Sequence, residues 1–477
     1  MAHLVSRLTR ASCLGLRTFT VLPSPSHGLH QRQAGTATPW QLDFTDHQTV
    51  FQHKSTGELL RTLAILKLCS INKFVDNALP LMRMGERLLG DRIFSKLARP
   101  TFYRQFVGGD TEEELRVTSQ SLDRAGIRLM VCPAMEEDVG EGTGEEGKYD
   151  DNTDYITEIG RMMVRSGAVR PCLQFKITAM MPAETVILLT DVLAEGRVSL
   201  QHMAEQVAAA IQSGEPVDLP GLNEQEGAIL GRGVARLARF GREGVAQDLR
   251  LLVDGEYTYM NPGISALALG MMIAFNSERP VVWNTYQCYL TAALHTITAD
   301  LAVAETVGCC FGAKIVRGAY LEKERKLAKE QGKPDPVNPT YEATGEMYNT
   351  VVDFMTAHIA RVGDRCNIVC GTHNESGALH AASRLTELGI EPTSNRVVFG
   401  QIYGMAEQIS VPMAAAGLPV YKSVPYGPLG EVLPYLSRRA AENRVVLAGA
   451  RREQEMLVKE IRRRLGRGGG KYHRQGV

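Results

Sequence analysis

The 477-residue sequence predicts an α/β protein built on a (β/α)8 barrel of the TIM type, with a helical extension before it. Two observations lead there. From about residue 128 onward, short apolar runs rich in β-branched residues alternate with longer segments of helical periodicity. Several of those runs are apolar without alternation, as strands are when both faces of the sheet are covered.

The runs are RLMVCPAME (128–136), PCLQFKIT (171–178), QDLRLLVD (247–254) and PVVWNTYQ (280–287), then FGAKIVRGAY (311–320), RCNIVCGTH (365–373), NRVVFGQIYG (395–404) and LPVYKSVPYG (418–427). Helical segments such as TGEMYNTVVDFMTAHIARV (344–362) follow them. Eight strand–helix units over ~300 residues suit a closed barrel, although the pattern also admits an open doubly wound sheet. A long helical insertion at 179–246 separates the second and third strands.

Around this core the chain divides further. Residues 41–125 read as helical, 126–450 as the barrel, and 451–477 as a basic C-terminal tail ending RRRLGRGGGKYHRQGV. Residues 137–152, EDVGEGTGEEGKYDDN, read as an acidic, glycine-rich loop; such charge runs are usually solvated surface. Residues 1–40 hold Arg7, Arg10, Arg17 and Arg32 and no acid before Asp43. That is the composition of a mitochondrial transit peptide, or else of a disordered tail. No apolar stretch reaches the ~18–20 residues that span a bilayer, and ALALGMMIAF (266–275) reads as a buried helix. Any membrane contact is therefore expected to be peripheral.

Composition narrows the function. Hydrophobic residues make up 44% and charged residues 22%, enough for a large core without disulfides. A formal net charge of zero argues against general nucleic-acid binding. The nine cysteines show no CxxC or Cys/His spacing, so they are read as reduced core thiols, with no metal site.

Barrel enzymes carry their functional groups at the C-terminal strand ends. Those ends give Lys176, Asp254, Asn284 with Tyr286 and Gln287, Arg317 with Tyr320, Thr372 with His373, Gln401 and Ser423. In the helix after the eighth strand, Tyr435, Arg438, Arg439 and Glu442 stand at i, i+3, i+4 and i+7, along one face. On a surface helix this is an ordinary Arg–Glu pair. Over a barrel mouth, paired arginines suit a carboxylate, held in two directions at once.

There is no HExxH, no Walker sequence and no Ser–His–Asp order. A literal GxGxxG at Gly142, Gly144 and Gly147 lies among glutamates that would repel a pyrophosphate, and is discounted. A carboxylate clamp with neither metal nor nucleophile points to an organic cofactor. Composition and spacing do not choose one; a pyridoxal-phosphate or Schiff-base barrel using Lys176 stays open.

At KIVRGAYLEKER (314–325) and PYLSRRAAEN (434–443) the chain closely resembles the proline dehydrogenase family. LQFKITAMMP (173–182), LLVDGEY (251–257), WNTYQCYL (283–290), GTHN (371–374) and FGQIYGM (399–405) extend the resemblance across about 170–445. It implies a distorted barrel that holds FAD non-covalently, takes a hydride from the ring carbon beside nitrogen, and passes electrons to a membrane quinone. By the same resemblance Arg438 and Arg439 are the substrate-carboxylate pair, with Tyr435, Glu442 and Lys176 beside them. Asp254 is an active-site acid, and Lys314 stands where many members have an arginine near the flavin. Asn284, Arg317, Gly318, Ala319, Thr372 and His373 are expected to line the flavin.

One departure matters: Ser423 occupies a position where proline-specific members carry tyrosine. Loss of that ring would admit a C4 hydroxyl, so the chain looks like the hydroxyproline dehydrogenase branch, unless the exchange is neutral at a pocket edge.

Overall fold

The computed structural model describes residues 42–135, 146–442 and 444–466. The proposed transit segment, Gly142 and Gly144 of the glycine-rich stretch, and the last eleven residues lie outside the described residues.

Eight parallel strands close into a barrel in chain order: β1 (Ile127–Pro133), β2 (Cys172–Phe175), β3 (Arg250–Val253), β4 (Val282–Gln287), β5 (Phe311–Val316), β6 (Cys366–Gly371), β7 (Val397–Ile402) and β8 (Val420–Tyr426). Pairing of β1 with β8, from Ile127–Val420 to Pro133–Tyr426, seals the ring. Each of the eight apolar runs thus holds one strand, and the open-sheet alternative is excluded.

Two packing environments explain why the strands read as apolar throughout. Met130, Cys172, Leu252, Trp283, Val398 and Tyr421 pack with one another inside the ring. Their chain neighbours, such as Leu129, Val131, Leu173, Leu251, Val253 and Val282, belong to the larger core between strands and helices. Side chains alternate across a strand. The inner set therefore continues upward to Cys132, Gln174, Asp254, Thr285, Gly371, Gly400 and Ser423. On β5, Phe311, Ala313 and Ile315 join the outer core, which leaves Lys314 inside.

The 179–246 insertion is three helices, Ala183–Ala194, Leu200–Ser213 and Glu224–Ala246. The last starts with a capping box in which Asn223 and Glu226 satisfy each other's backbone amides. The apolar segment at 266–275 lies in the helix Asn261–Phe275, buried on all sides from Gly263 to Met272. Among the described residues no helix is long and apolar enough to cross a membrane.

Two expectations need correction. Residues from Glu146 onward are not loop: Glu146–Arg165 is a helix, tied down where the buried Arg236 guanidinium donates to Glu146 Oε1 at 2.6 Å and Asp150 Oδ1 at 2.9 Å. Nor does the barrel end at 450 in a loose basic tail. A single helix, Arg444–Gly466, runs through that boundary. Its Met456, Leu457 and Ile461 pack with Val50, Phe51, Leu59 and Leu66 of the N-terminal helices. Its charges do structural work as well. Glu460 is fully buried among Arg463, Arg464 and His47, and the bonds from those groups, Arg463 foremost, hold its carboxyl down at about 2. Arg464 in turn donates to the carbonyls of Phe51 at 2.9 Å and Lys54 at 2.6 Å, closing the end of the His47–Phe51 helix.

The helices Ala78–Leu89 and Asp91–Ala98 invert the usual pattern. Leu81, Met84 and Leu88 lie at i, i+3 and i+7 on the first, and Ile93 and Leu97 at i and i+4 on the second, all exposed; Leu88 is 76% exposed.

Candidate active site

The floor of the barrel mouth is a polar chain that crosses the ring. Lys314 on β5 is only 8% exposed, and a buried ammonium is costly unless it is paired. It donates to Asp254 Oδ1 at the end of β3 and, at 3.4 Å, to Gln174 Oε1 on β2. Gln174 Nε2 then donates to Ser423 Oγ on β8 at 2.9 Å. Beside this chain Cys132 Sγ lies 3.5 Å from the Tyr435 hydroxyl. Burial pushes the Cys132 thiol up to about 11, so it stays protonated near neutral pH and is no nucleophile.

Above the floor lies a cationic cluster on one aromatic ring. Lys176 Nζ donates to the Tyr320 hydroxyl at 3.3 Å and sits 3.9 Å from Glu256. Burial raises the Glu256 carboxyl, while Lys176 and the Thr178 hydroxyl, 3.0 Å away, favour its charged form. The helix Leu429–Glu442 crosses above and sets the Arg439 guanidinium over the Tyr320 ring at 5.0 Å and over Tyr435 at 5.6 Å. Arg438, its neighbour, is exposed. Glu442 closes the helix, and its side chain lies outside the described positions. Two cations converging on Tyr320 make this the place for an anionic group.

The remaining strand ends differ from one another. Arg317 stacks on Tyr341, 4.5 Å from the ring centroid, and donates to the Tyr341 carbonyl at 3.1 Å. Gly318 has φ +115°, and a Cβ there would overlap the Tyr289 ring, so this turn into Ala319 requires glycine. Thr372 Oγ1 accepts from the Asn374 amide at 3.0 Å, shaping the turn into the helix Glu375–Leu388. His373 Nε2 accepts from the Ile402 amide at 2.9 Å, which fixes the Nδ1–H tautomer. Burial, with Lys422 nearby, pushes its pKa down to about 3, so the ring is neutral.

Asn284 does not reach the mouth. Trp283 faces inward, so Asn284 faces the helices, where its amide donates to Ser265 Oγ at 3.0 Å and Asp300 Oδ2 at 3.4 Å. Tyr286 also turns outward to Asp300, at 2.8 Å, and Gln401 turns to Ser410, at 2.9 Å. Burial lifts Asp300 to about 6, and these donors offset part of that cost.

A planar cofactor fits what is left. Gly371 and Gly400 are Cα partners on β6 and β7, both facing inward, so that side of the floor is bare backbone. Any side chain at Gly371 would press within 3.0 Å of Val316, and one at Gly400 within 3.1 Å of Val369. Lys314 lies on β5 opposite Val369, two residues below this patch, and neutral His373 follows two residues beyond Gly371. Flat backbone beside a buried cation suits an aromatic ring system that gains negative charge.

Of the residues expected at the mouth, Lys176, Lys314, Asp254, Ser423, Tyr435 and Arg439 lie together. Gln174 and Tyr320 join them. Tyr320 was visible as a strand-end residue; Gln174 offered no local signal.

Comparison with known proteins agrees with this architecture. Residues 117–452 match the proline dehydrogenase family. The chain is 39% identical over 449 residues to a hydroxyproline dehydrogenase of Xenopus laevis, covering 94% of this chain and 96% of that one. It is 39% identical over 459 residues to the human hydroxyproline dehydrogenase, covering 94% and 98%. With human mitochondrial proline dehydrogenase 1 the identity is 32%, covering 91% of each. Among solved structures, proline utilization A from Bdellovibrio bacteriovorus superposes with a TM-score of 0.57 at 17% identity, over 84% of this chain and 38% of that longer one. At that identity the likeness speaks for the fold.

Proposed function

Since the chain belongs to the proline dehydrogenase family and is an oxidoreductase acting on proline or hydroxyproline, we propose that it is an FAD-dependent enzyme oxidising trans-4-hydroxy-L-proline to 1-pyrroline-3-hydroxy-5-carboxylate, with electrons passed on to a quinone. The observation that carries the choice of substrate is Ser423. Its small hydroxyl faces the mouth on β8, within the polar chain of the floor, at the position where the family resemblance implies a tyrosine ring in proline-specific members. Relatives named hydroxyproline dehydrogenase are 37–41% identical to the chain, and those named proline dehydrogenase 28–32%.

The oxidation removes a hydride from C5 and a proton from the ring nitrogen. FAD, when bound, supplies the hydride acceptor. The chain's own residues bind and orient. Arg438 and Arg439 take the substrate carboxylate, with Lys176 and Tyr435 at its sides, and Glu442 completes that helix face. The Leu429–Glu442 helix, closing over Tyr320, keeps water from the reacting carbon. Asp254 pins the Lys314 ammonium at the floor, beside the bare Gly371–Gly400 backbone, where it stabilises negative charge. Arg317, Gly318, Ala319, Thr372 and His373 are the rim positions for the rest of FAD; Asn284 can act only from behind the strand, through the helix layer.

Purified protein is expected to carry flavin absorbance and to show a higher kcat/KM for trans-4-hydroxy-L-proline than for L-proline, with a soluble quinone as acceptor. A preference for proline would overturn the substrate. A colourless but active protein would overturn FAD and return Lys176 to the Schiff-base reading.

The arginine-rich, acid-free residues 1–40 and the relatives named mitochondrial support a mitochondrial location. Quinones reside in lipid, and the exposed stripe of Leu81, Met84, Leu88, Ile93 and Leu97 is the proposed contact with an anionic membrane surface. Exposed Arg83, Arg87, Arg92 and Lys96 are interleaved with it, giving the helices the charge to match. Sedimentation with phosphatidylglycerol-containing vesicles, and its loss in Leu88→Glu/Ile93→Glu, is expected; equal sedimentation of the variant would remove this surface.

A further inference from the structure

We infer that Gln174 is a positioning residue that sets the hydrogen-bonding polarity of Ser423 and thereby governs recognition of a substrate hydroxyl, an inference resting on the hydroxyproline reading above. Its side chain is 5% exposed and spans the floor between two groups of unequal character. Lys314 can only donate, so the atom of Gln174 that faces it at 3.4 Å must be the carbonyl oxygen. The amide nitrogen is thereby turned to Ser423 Oγ, to which it donates at 2.9 Å.

A hydroxyl has one hydrogen and two lone pairs. Ser423 spends a lone pair on Gln174, so its own hydrogen is left to donate. Gln174 and Ser423 lie on β2 and β8, the two neighbours of β1, and both face inward. The Ser423 donor therefore points into the space a ring-bound oxygen would occupy. Lys314 fixes Gln174, Gln174 occupies one lone pair of Ser423, and the Ser423 hydrogen is turned away from Gln174, free to meet the hydroxyl of the substrate. Without Gln174 the serine would rotate freely, and ordering it would cost part of what the bond contributes.

The chain of dependence predicts a coupling. In Gln174→Met, which keeps length and loses polarity, the ratio of kcat/KM for trans-4-hydroxy-L-proline to that for L-proline is expected to fall about tenfold, in KM more than in kcat. In a Ser423→Ala background the same change is expected to leave the ratio where Ser423→Ala alone puts it. Gln174→Asn, one methylene too short to bridge Lys314 and Ser423, should behave as Gln174→Met, and gives a second test should the methionine variant fail to fold.

Equal losses for both substrates, or the same ratio change with and without Ser423, would reduce Gln174 to a packing residue and overturn the inference. The wild-type ratio alone tests the substrate reading. The change in ratio tests Gln174, whichever substrate the wild type prefers.

Discussion

Arg439→Met raises KM for either imino-acid substrate by roughly 100-fold or more, while kcat changes much less. Truncating one partner of a desolvated, hydrogen-bonded charge pair costs ~2–5 kcal/mol, much of it from the charge left behind. Arg439 stands in that situation. Its guanidinium lies over Tyr320 at 5.0 Å and over Tyr435 at 5.6 Å, beside Lys176 on the same Tyr320 ring. A bound carboxylate without it would keep Lys176 and Arg438, one tied to Tyr320 and the other exposed. Arg439→Lys should rescue little, because an ammonium has neither the planar face for Tyr320 nor the fork for two oxygens. Steady-state kinetics decide it: a KM within about threefold of wild type in Arg439→Met would remove the clamp from this helix.

Ser423→Tyr swings the substrate preference from hydroxyproline towards proline by roughly 10- to 200-fold in the ratio of kcat/KM, the span that one pocket contact of ~1–3 kcal/mol covers. Two effects act in the same direction. The ring fills the space a C4 hydroxyl would occupy and restores an apolar wall beside an unsubstituted ring. It also displaces the oxygen that accepts from Gln174. A ratio unchanged in Ser423→Tyr would show that the small residue on β8 does not set the preference.

Much of this was legible in the chain itself. The eight strands showed because a barrel strand is apolar on both faces, and a run such as LRLLV can satisfy an inner and an outer core at once. The clamp helix showed because i, i+3 and i+4 spacing is local. Strand parity is equally local: with Trp283 as an inner side chain, Asn284 and Tyr286 must face the helices, which is why Asn284 misses the mouth.

Other features depend on partners far away in sequence. Gln174 meets Ser423 across 249 positions, and nothing near LQFK announces it. Glu146–Asn152 looked like loop because glycine and acid dominate it, yet the buried Arg236, 86 residues away from Asp150, makes those acids structural. The C-terminal helix has the composition of a tail, but the i+3 and i+4 pairs of Glu460 with Arg463 and Arg464 make its charges structural.

That last helix has a consequence for how the chain is made. Leu59 and Leu66 find Met456, Leu457 and Ile461 only when the whole barrel between them has been made. Closure of the ring through β1 and β8 also waits for a strand that ends at Tyr426. Part of the N-terminal core therefore waits for the last helix, and folding completes from both ends together, a slow step that long-range contacts impose.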